Sequence, residues 1–403
     1  MKKKVAQINS VCGYSSTGRT TYDLAVCFKD AGFDSRVYYG LRSTDYLKAY
    51  KFTNTLEVKV HILKTRLLGK HAFYSRRATK RLVEMLKEFQ PDVIRLGQVH
   101  GHYLNIPVLF KYFSESNVPV VWTLHDCWAM TGHCAHFTRV QCEKWKTGCY
   151  QCPQKHSYPN SWIFDRSKAG WRDKKKYFNL PKNITLVAPS HFIADLAKLS
   201  FLKNHDIKTI YNGVDTNIFK PDPDQSMRGE LGISKDAFLV LGMAGKWFDA
   251  RNREKSIDMI QKAEDIIFVL IGKPPHNMTL PEHVISIDYI SDLDRLAKTY
   301  ACADVFLNLS DEDSFSKVTA EAMACGTPVV GLNSTAIPEV IGDAGVVLPP
   351  ESGSDAFLEA FNQLKAKDLD ELSKEARKRA VTLFNQNKNY QAYLALIEEK
   401  AAR

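Results

Sequence analysis

Asp311, Glu312 and Asp313 follow the apolar run Val305-Phe306-Leu307-Asn308-Leu309-Ser310, and Ser314-Phe315-Ser316 leads from them into Lys317-Val318-Thr319-Ala320-Glu321. A strand that delivers carboxylates to a loop just before a helix begins can hold a phosphorylated sugar. The N–H groups of the helix start face the phosphates, and the carboxylates accept hydrogen bonds from sugar hydroxyls. The same carboxylates could instead only cap the helix and solvate its face. Gly326 stops that helix ahead of Pro328-Val329-Val330.

A second loop of this kind, Gly13-Tyr14-Ser15-Ser16-Thr17-Gly18-Arg19, lies between the first apolar run and a helical pattern through Leu24 and Phe28. Its glycines let backbone N–H groups approach a phosphate, and they suit a plain tight turn equally well. The spacing is neither G-x-G-x-x-G nor a P-loop, which argues against a dehydrogenase or an NTPase. His125 closes the run Val120-Val121-Trp122-Thr123-Leu124, at the edge where open parallel sheets bind ligands; a lone histidine there is more often structural. Cys134, Cys142, Cys149 and Cys152 can supply four thiolates, with one C-x2-C pair, to a structural zinc that takes no part in catalysis. His133, His136 and Cys127 are substitute ligands, and a set of buried free thiols is the alternative. A zinc-containing nucleic-acid binder would also fit the cluster and the positive charge, but no nucleic-acid motif accompanies them, so no nucleic-acid partner is expected.

The elements that must carry these residues follow from length and pattern. A chain of 403 residues exceeds one ordinary core and suits two domains of roughly 200 residues. Short Val- and Ile-rich runs alternate with longer amphipathic stretches, the pattern of parallel strands joined by crossover helices. Strands are predicted near 4–10, 34–39, 91–96, 118–124, 184–188 and 207–211, and again near 237–243, 266–272, 284–289, 304–309, 328–332 and 345–348. Between the two series, Asn212-Gly213-Val214-Asp215 through Pro221-Asp222-Pro223 is dense in turn formers. This places one domain at 1–213, a second at 214–385 and a last helix at 386–403. Hydrophobic content of 44% and charged content of 25% exclude wholesale disorder and a membrane-embedded body. Gln7 and Asn9 interrupt the apolar run after Lys2 to Lys4, so it is expected to be a buried strand and not a secretory signal. The formal charge of +10 points to a phosphate-bearing partner.

With these elements in place, Asp313 and Glu321 and the run Glu-Ala-Met-Ala-Cys-Gly-Thr-Pro-Val-Val resemble the E-x7-E signature of family-4-type glycosyltransferases. The likeness extends to His125-Asp126, Pro189-Ser190, Asn212-Gly213-Val214-Asp215 and Phe219-Lys220-Pro221. Through His100-Gly101-His102-Tyr103-Leu104-Asn105 and Leu124-His125-Asp126-Cys127-Trp128 it is similar to the capsule and exopolysaccharide branch. The resemblance implies a GT-B fold, an α/β architecture of two Rossmann-like domains whose parallel sheets face each other across a cleft. The first domain would present the acceptor and the second would grip the donor. It also implies retaining transfer of a hexose-like sugar from a nucleoside diphosphate donor to a glycan or lipid-linked acceptor, with no metal or other cofactor needed for catalysis.

The resemblance assigns His125 and Asp313 to catalysis beside the transferred sugar. To donor binding it assigns Gly18, Lys246, Arg251, Ser314, Phe315, Ser316 and Glu321, the last on the ribose. Asp stands at the first acidic position where the family has Glu, with Glu312 adjacent; Lys246 and Arg251 replace the commoner Arg and Lys. Arg95 and Gly97 stand where relatives carry histidines. A sugar-nucleotide-binding protein with little or no turnover is the alternative that these departures permit.

The expected location is cytoplasmic. Lys64, Arg66, Lys70, Arg76, Arg77, Lys80, Arg81 and Lys87 flank Leu67, Leu68, Phe73, Leu82 and Leu86, a basic amphipathic stretch suited to an anionic membrane surface as well as to a solvated helix face.

Overall fold

A computed structural model describes residues 2–402 except 45, 47 and 277. Two compact units are formed, one from 1–210 with 390–403, the other from 211–389.

The first unit is built on seven strands: β1 (Lys4–Cys12), β2 (Asp34–Ser43), β3 (Ala49–Lys51), β4 (Val93–Leu96), β5 (Val120–Thr123), β6 (Ile184–Ala188) and β7 (Asp206–Thr209). They form one sheet in the order β3-β2-β1-β4-β5-β6-β7, with every pairing parallel. Chain order reverses between β1 and β4, and a reversal of this kind opens a crevice at the carboxyl ends of the strands. β4, β5 and β6 are buried at every position, because helices cover both faces of a parallel sheet. The short edge strand β3 was not foreseen. Three residues carry no apolar run, and it is held by its pairing with β2 and by Tyr50 stacked on Tyr38 at 5.7 Å.

The second unit has six strands: β8 (Phe238–Met243), β9 (Ile266–Ile271), β10 (Val284–Ile287), β11 (Val305–Asn308), β12 (Val329–Leu332) and β13 (Gly345–Leu348). Their order is β10-β9-β8-β11-β12-β13, again parallel throughout, with the reversal between β8 and β11. Two parallel, Rossmann-like sheets are thus present, as the strand pattern predicts.

The final helix, Gln386–Ala401, places Tyr393 and Ile397 in a core cluster of the first unit with Val5, Leu24 and Phe28. Tyr390 donates to Asp23 Oδ2 at 3.0 Å. Among the described residues no helix is long and apolar enough to cross a membrane.

Candidate active site

In the second unit, the residues singled out from sequence gather where β8 and β11 end. Beyond β8 the chain turns through the short helix Ala244–Trp247. Trp247 is fully buried over Gly242, where an added Cβ would lie 2.2 Å from the indole, and its Nε1 donates to Leu307 O at 3.2 Å. Anchoring Trp247 inward leaves its neighbour Lys246 exposed. Asn252, buried, then donates from Nδ2 to Lys246 O and to Leu309 O, both at 2.9 Å. One amide therefore ties the loop after β8 to the loop after β11. Arg251 reaches across the same junction to Asp311, Nη1 to Oδ2 at 2.6 Å, with the carboxylate 5% exposed and the guanidinium 40% exposed. The guanidinium is thus oriented by a buried acid while part of it stays open to a ligand. Lys255 lies beside this pair; burial and Arg251 push its pKa down, against the pull of Asp249 and Asp311.

No motif in the sequence marks Asn252, yet this buried side chain makes both of these bonds. Asn252→Ala should cost about 2–3 kcal/mol of stability through the two stranded carbonyls. Urea unfolding measures this, and a variant as stable as the parent would show that the two loops hold without it.

On the β11 side, Asn308 accepts from Ser310 N at 2.9 Å and donates to Ser316 Oγ and Thr319 Oγ1, both at 2.9 Å. These bonds set the turn into the helix Lys317–Ala324, with Ser316 in the left-handed conformation at φ 65° and its side chain making no cap bond. The Ser316 hydroxyl is committed to Asn308, and Phe315 packs in the core against Tyr211 and Phe384. From Phe315 and Ser316, then, only the backbone can meet a donor; Ser314 is partly exposed. Asp313 is partly exposed, its N–H donating to Thr335 Oγ1 at 3.0 Å and its carbonyl accepting from Ala336 N at 3.3 Å, so its backbone is pinned. Glu321 is buried one face into the helix, 3.9 Å from Lys317 Nζ and beside Tyr300, whose hydroxyl burial and the Glu321 carboxylate hold well above its usual pKa.

In the first unit, His125 follows β5. It is half-buried with Nε2 sealed from solvent, and that nitrogen has no hydrogen-bond partner among the described residues. Burial, then Arg95, pull its pKa down to about 3 against the opposing pull of Asp126. The imidazole is therefore neutral near pH 7, a hydrogen-bonding group and not a charged one. Arg95 is fully buried and donates to Gln7 Oε1 (3.4 Å), Thr21 Oγ1 (3.1 Å) and Thr123 Oγ1 (3.3 Å), with the Tyr393 ring 5.8 Å away. It joins β1, β4, β5, the first helix and the last. Gly97 faces Asn9, and an added Cβ would lie 2.6 Å from Asn9 Oδ1, which leaves no space for a histidine.

Next to His125 the structure assembles a set that sequence reasoning missed. Asp126 Oδ2 lies 2.7 Å from His100 Nε2, and His100 Nδ1 lies 2.9 Å from the Tyr158 hydroxyl. Burial would raise the Asp126 pKa, but His100 and the Trp128 amide hold it at about 2, so the carboxylate orients Nε2–H and Nδ1 accepts from Tyr158. His100 and Asp126 carried the family likeness, but Tyr158 is 58 residues from His100 and had no motif to mark it.

Gly18 sits in the first unit, in the helix Ser15–Asp30, and its carbonyl accepts from Gly13 N at 2.7 Å. An added Cβ would meet Val11 at 2.9 Å, so close packing of helix on strand accounts for this glycine.

The zinc expectation finds no support. Cys134, Cys142, Cys149 and Cys152 do line one small cavity of about 10 Å³, yet among the described residues no group of three or more His, Cys, Asp or Glu side chains could hold a metal ion. Cys149 Sγ accepts from Gly132 N at 3.1 Å. The fully buried Lys174, whose pKa burial pushes well below the usual lysine value against the pull of Cys149 and Cys134, donates to Trp128 O at 2.7 Å and lies 3.2 Å from the Trp128 ring centroid. Burial pushes the Lys174 amine well down and the Cys149 thiol up to about 11, so both side chains favour their neutral forms. These are packed free thiols.

Two parallel Rossmann-like units with basic and acidic side chains at the strand ends define a GT-B glycosyltransferase. Residues 17–218 match the model for Glycosyltransferase Family 4, and 254–367 match that for Glycosyl transferases group 1. The chain belongs to glycosyltransferase family 4, and it is a retaining enzyme that takes its sugar from a nucleotide sugar.

Among curated relatives, WcaC of Escherichia coli strain K12, a glycosyl transferase ascribed to colanic acid biosynthesis, is 26% identical over 312 residues, 75% of this chain and 74% of the relative. The N-acetyl-alpha-D-glucosaminyl L-malate synthase of Bacillus anthracis is 27% identical over 232 residues, 54% of this chain and 60% of the relative. Among solved structures, Anabaena Alr3699/HepE in complex with UDP superposes with a TM-score of 0.68 at 16% identity, covering 98% of this chain and 100% of that one. WaaG, involved in lipopolysaccharide biosynthesis, gives 0.64 at 15%, covering 98% of each. At these identities the structural likeness shows the fold.

Proposed function

We propose that the protein transfers a hexose-like sugar from a nucleoside diphosphate donor to a glycan or lipid-linked acceptor during assembly of a bacterial-type surface polysaccharide, on the cytoplasmic side. Residues 214–385 are the donor domain and residues 1–213 the acceptor domain. Arg251, oriented by Asp311, is the observation that carries the donor assignment: a guanidinium aimed by a buried acid and partly open to solvent suits a diphosphate. Lys246, Arg251 and the start of the helix Lys317–Ala324 balance the charge that grows on the leaving phosphate, and no metal is required. Glu321 accepts from the donor ribose. Asp313 and neutral His125 accept or donate hydrogen bonds at the transferred sugar. The leaving phosphate takes the acceptor's proton as the acceptor oxygen attacks the same face, so configuration is retained.

The surface-polysaccharide assignment is supported by the colanic acid relative. The test is incubation of the purified protein with a panel of nucleoside diphosphate sugars and lipid extract, followed by mass spectrometry of water-soluble and organic phases. A sugar-bearing lipid product supports the assignment. Donor binding with no transferred product in either phase would instead favour the sugar-nucleotide-binding alternative.

Removing the Arg251 guanidinium gives a further check. Arg251→Ala should weaken nucleoside diphosphate binding by about tenfold or more, as loss of a charge-assisted bond does. Calorimetry with UDP and GDP would show it, and unchanged affinity for whichever nucleotide binds would remove Arg251 from the site.

A further inference from the structure

The helix Arg76–Phe89 alternates charge and apolar residues strongly, but its Leu82, Leu86 and Phe89 are in the core. What it turns outward is cationic and polar only: Arg76, Arg77, Lys80, Arg81, Glu84, Lys87 and Glu88. The sequence expectation of a lipid-facing apolar stripe there is therefore corrected, since Leu82 and Leu86 are buried and Met85 is half-buried against the same core.

The preceding helix, Thr55–Leu68, does the reverse. It starts with a full capping box between Asn54 and Glu57, and buries only His61 and Thr65. Leu56, Val60 and Leu63, spaced to share one face, are 71%, 40% and 51% exposed, and Leu68 is 44% exposed. A second apolar segment meets the end of this helix: Trp162 N donates to Arg66 O at 2.6 Å, and the Arg66 guanidinium lies 5.3 Å from the Trp162 ring. Trp162, Ile163 and Phe164 are 49%, 56% and 44% exposed. Around these side chains Lys59, Lys64, Arg66, Arg166 and Lys168 are exposed. Of the carboxylates nearby, Glu57 is paired with Arg81, and Asp165 accepts from the amides of Cys152 and Ser167.

We propose that the helix Thr55–Leu68 and the Trp162–Phe164 segment together form a docking surface for an anionic lipid bilayer. Apolar side chains enter the headgroup boundary, a tryptophan sits at the level where its amphipathic ring is favoured, and the cations meet lipid phosphates. A protein partner would more often bury such a patch behind a rim of mixed charge, whereas the rim here is cationic. The same loop carries Tyr158 to His100 and Asp126, so docking would hold this site at the bilayer. That consequence rests on the proposed lipid-linked acceptor; the docking itself does not.

Vesicle co-sedimentation of the full chain, without donor or acceptor, tests the surface directly. Phosphatidylcholine vesicles with phosphatidylglycerol should bind the protein, phosphatidylcholine alone should bind it weakly, and salt should reduce the difference. The paired substitution Leu63→Ser with Trp162→Ser should lower the partition coefficient by about tenfold or more, with the urea midpoint kept because both side chains are exposed. Arg77→Gln with Lys80→Gln on the neighbouring helix should change it by no more than about threefold. Parental binding by the Leu63/Trp162 variant, equal binding to neutral vesicles, or a dimer in light scattering that the same variant abolishes would each overturn the proposal. A water-soluble product in the transfer assay would remove the lipid-linked acceptor and leave vesicle binding unaffected, so the two failures are distinguishable.

Discussion

Replacing Glu321 with alanine is expected to weaken nucleoside diphosphate binding by roughly 10- to 100-fold, the effect of losing charge-assisted hydrogen bonds to a ribose. The carboxylate is buried beside Tyr300 and near Lys317, so it is held in place before any ligand arrives. Asp313→Ala should behave differently. Its backbone is pinned by Thr335 and Ala336 while its side chain is partly exposed at the loop, so truncation should leave nucleoside diphosphate affinity within about threefold and lower turnover by about a hundredfold or more. Calorimetry with the nucleoside diphosphate and a transfer assay with the full donor separate the two variants, after circular dichroism shows both folded. Equal loss of affinity in both would contradict the division of roles, and no loss in either would remove both residues from the site.

Acid should destabilise the first unit, and the cause is a buried set of neutral histidines. His61 Nε2 accepts from Ala72 N at 3.2 Å while Nδ1 meets Ser75 Oγ at 2.6 Å. His71 Nε2 accepts from the amides of Gly101 (3.3 Å) and His102 (3.1 Å), with its ring 4.2 Å from that of His102. A ring nitrogen that accepts from an amide carries no proton, so both imidazoles are locked in the Nδ1–H form. Burial, followed by His102, pushes His61 down to about 3, and burial with neighbouring histidines pushes His71 well below 6.5; burial likewise takes His102 to about 4.

Each group has a folded pKa below its unfolded value of 6.5, so the unfolded chain binds more protons as the pH falls. The stabilisation is complete above the unfolded value and is withdrawn as pH drops towards the folded one, by about 1.4 kcal/mol per pH unit for each histidine. Urea midpoints should therefore be level above about pH 7 and fall steeply below about pH 6. His71→Gln should start lower and fall less steeply, since one proton fewer is taken up on unfolding. A midpoint that stays level down to about pH 5 in the parent protein would contradict the neutral cluster.

How much of this was legible beforehand differs between the two units. In the second, strand, acidic loop, helix and terminating glycine are consecutive, so local pattern was enough to place Asp313 in the loop after a strand and Glu321 in the helix that follows. Gly326, at φ 83°, stops the helix as its position predicts. Arg251 was legible as a cation after β8, but its partner Asp311 was not, because 60 residues separate them and only the parallel pairing of β8 with β11 brings the loops together. The same pairing makes Asn252 a strut, which no spacing rule would have marked.

In the first unit, residue type was informative and position was not. His125 at the end of a strand could be found from the alternation of apolar runs and turns, while the long segment after it carries little regular structure and so no periodicity to follow. Tyr158 and Trp162 lie in that segment, and their meetings with His100 and with Arg66 are long-range contacts set by how it folds back. Four cysteines were visible, but thiols answer to metal only if their side chains converge with the right geometry, and among the described residues no such group is found.

The two basic helices make the same point about periodicity. Apolar spacing identified Leu82 and Leu86 as one face of a helix but could not say whether that face met lipid or core, because both solvents reward the same pattern. By itself the sequence determined the element types, the parallel sheets and the carboxylates and cations at their ends, since these follow from local propensity and repeat. Tertiary structure decided which face of each helix is covered, which charges are paired and which histidines are kept neutral, since each of these depends on what a distant segment brings into contact.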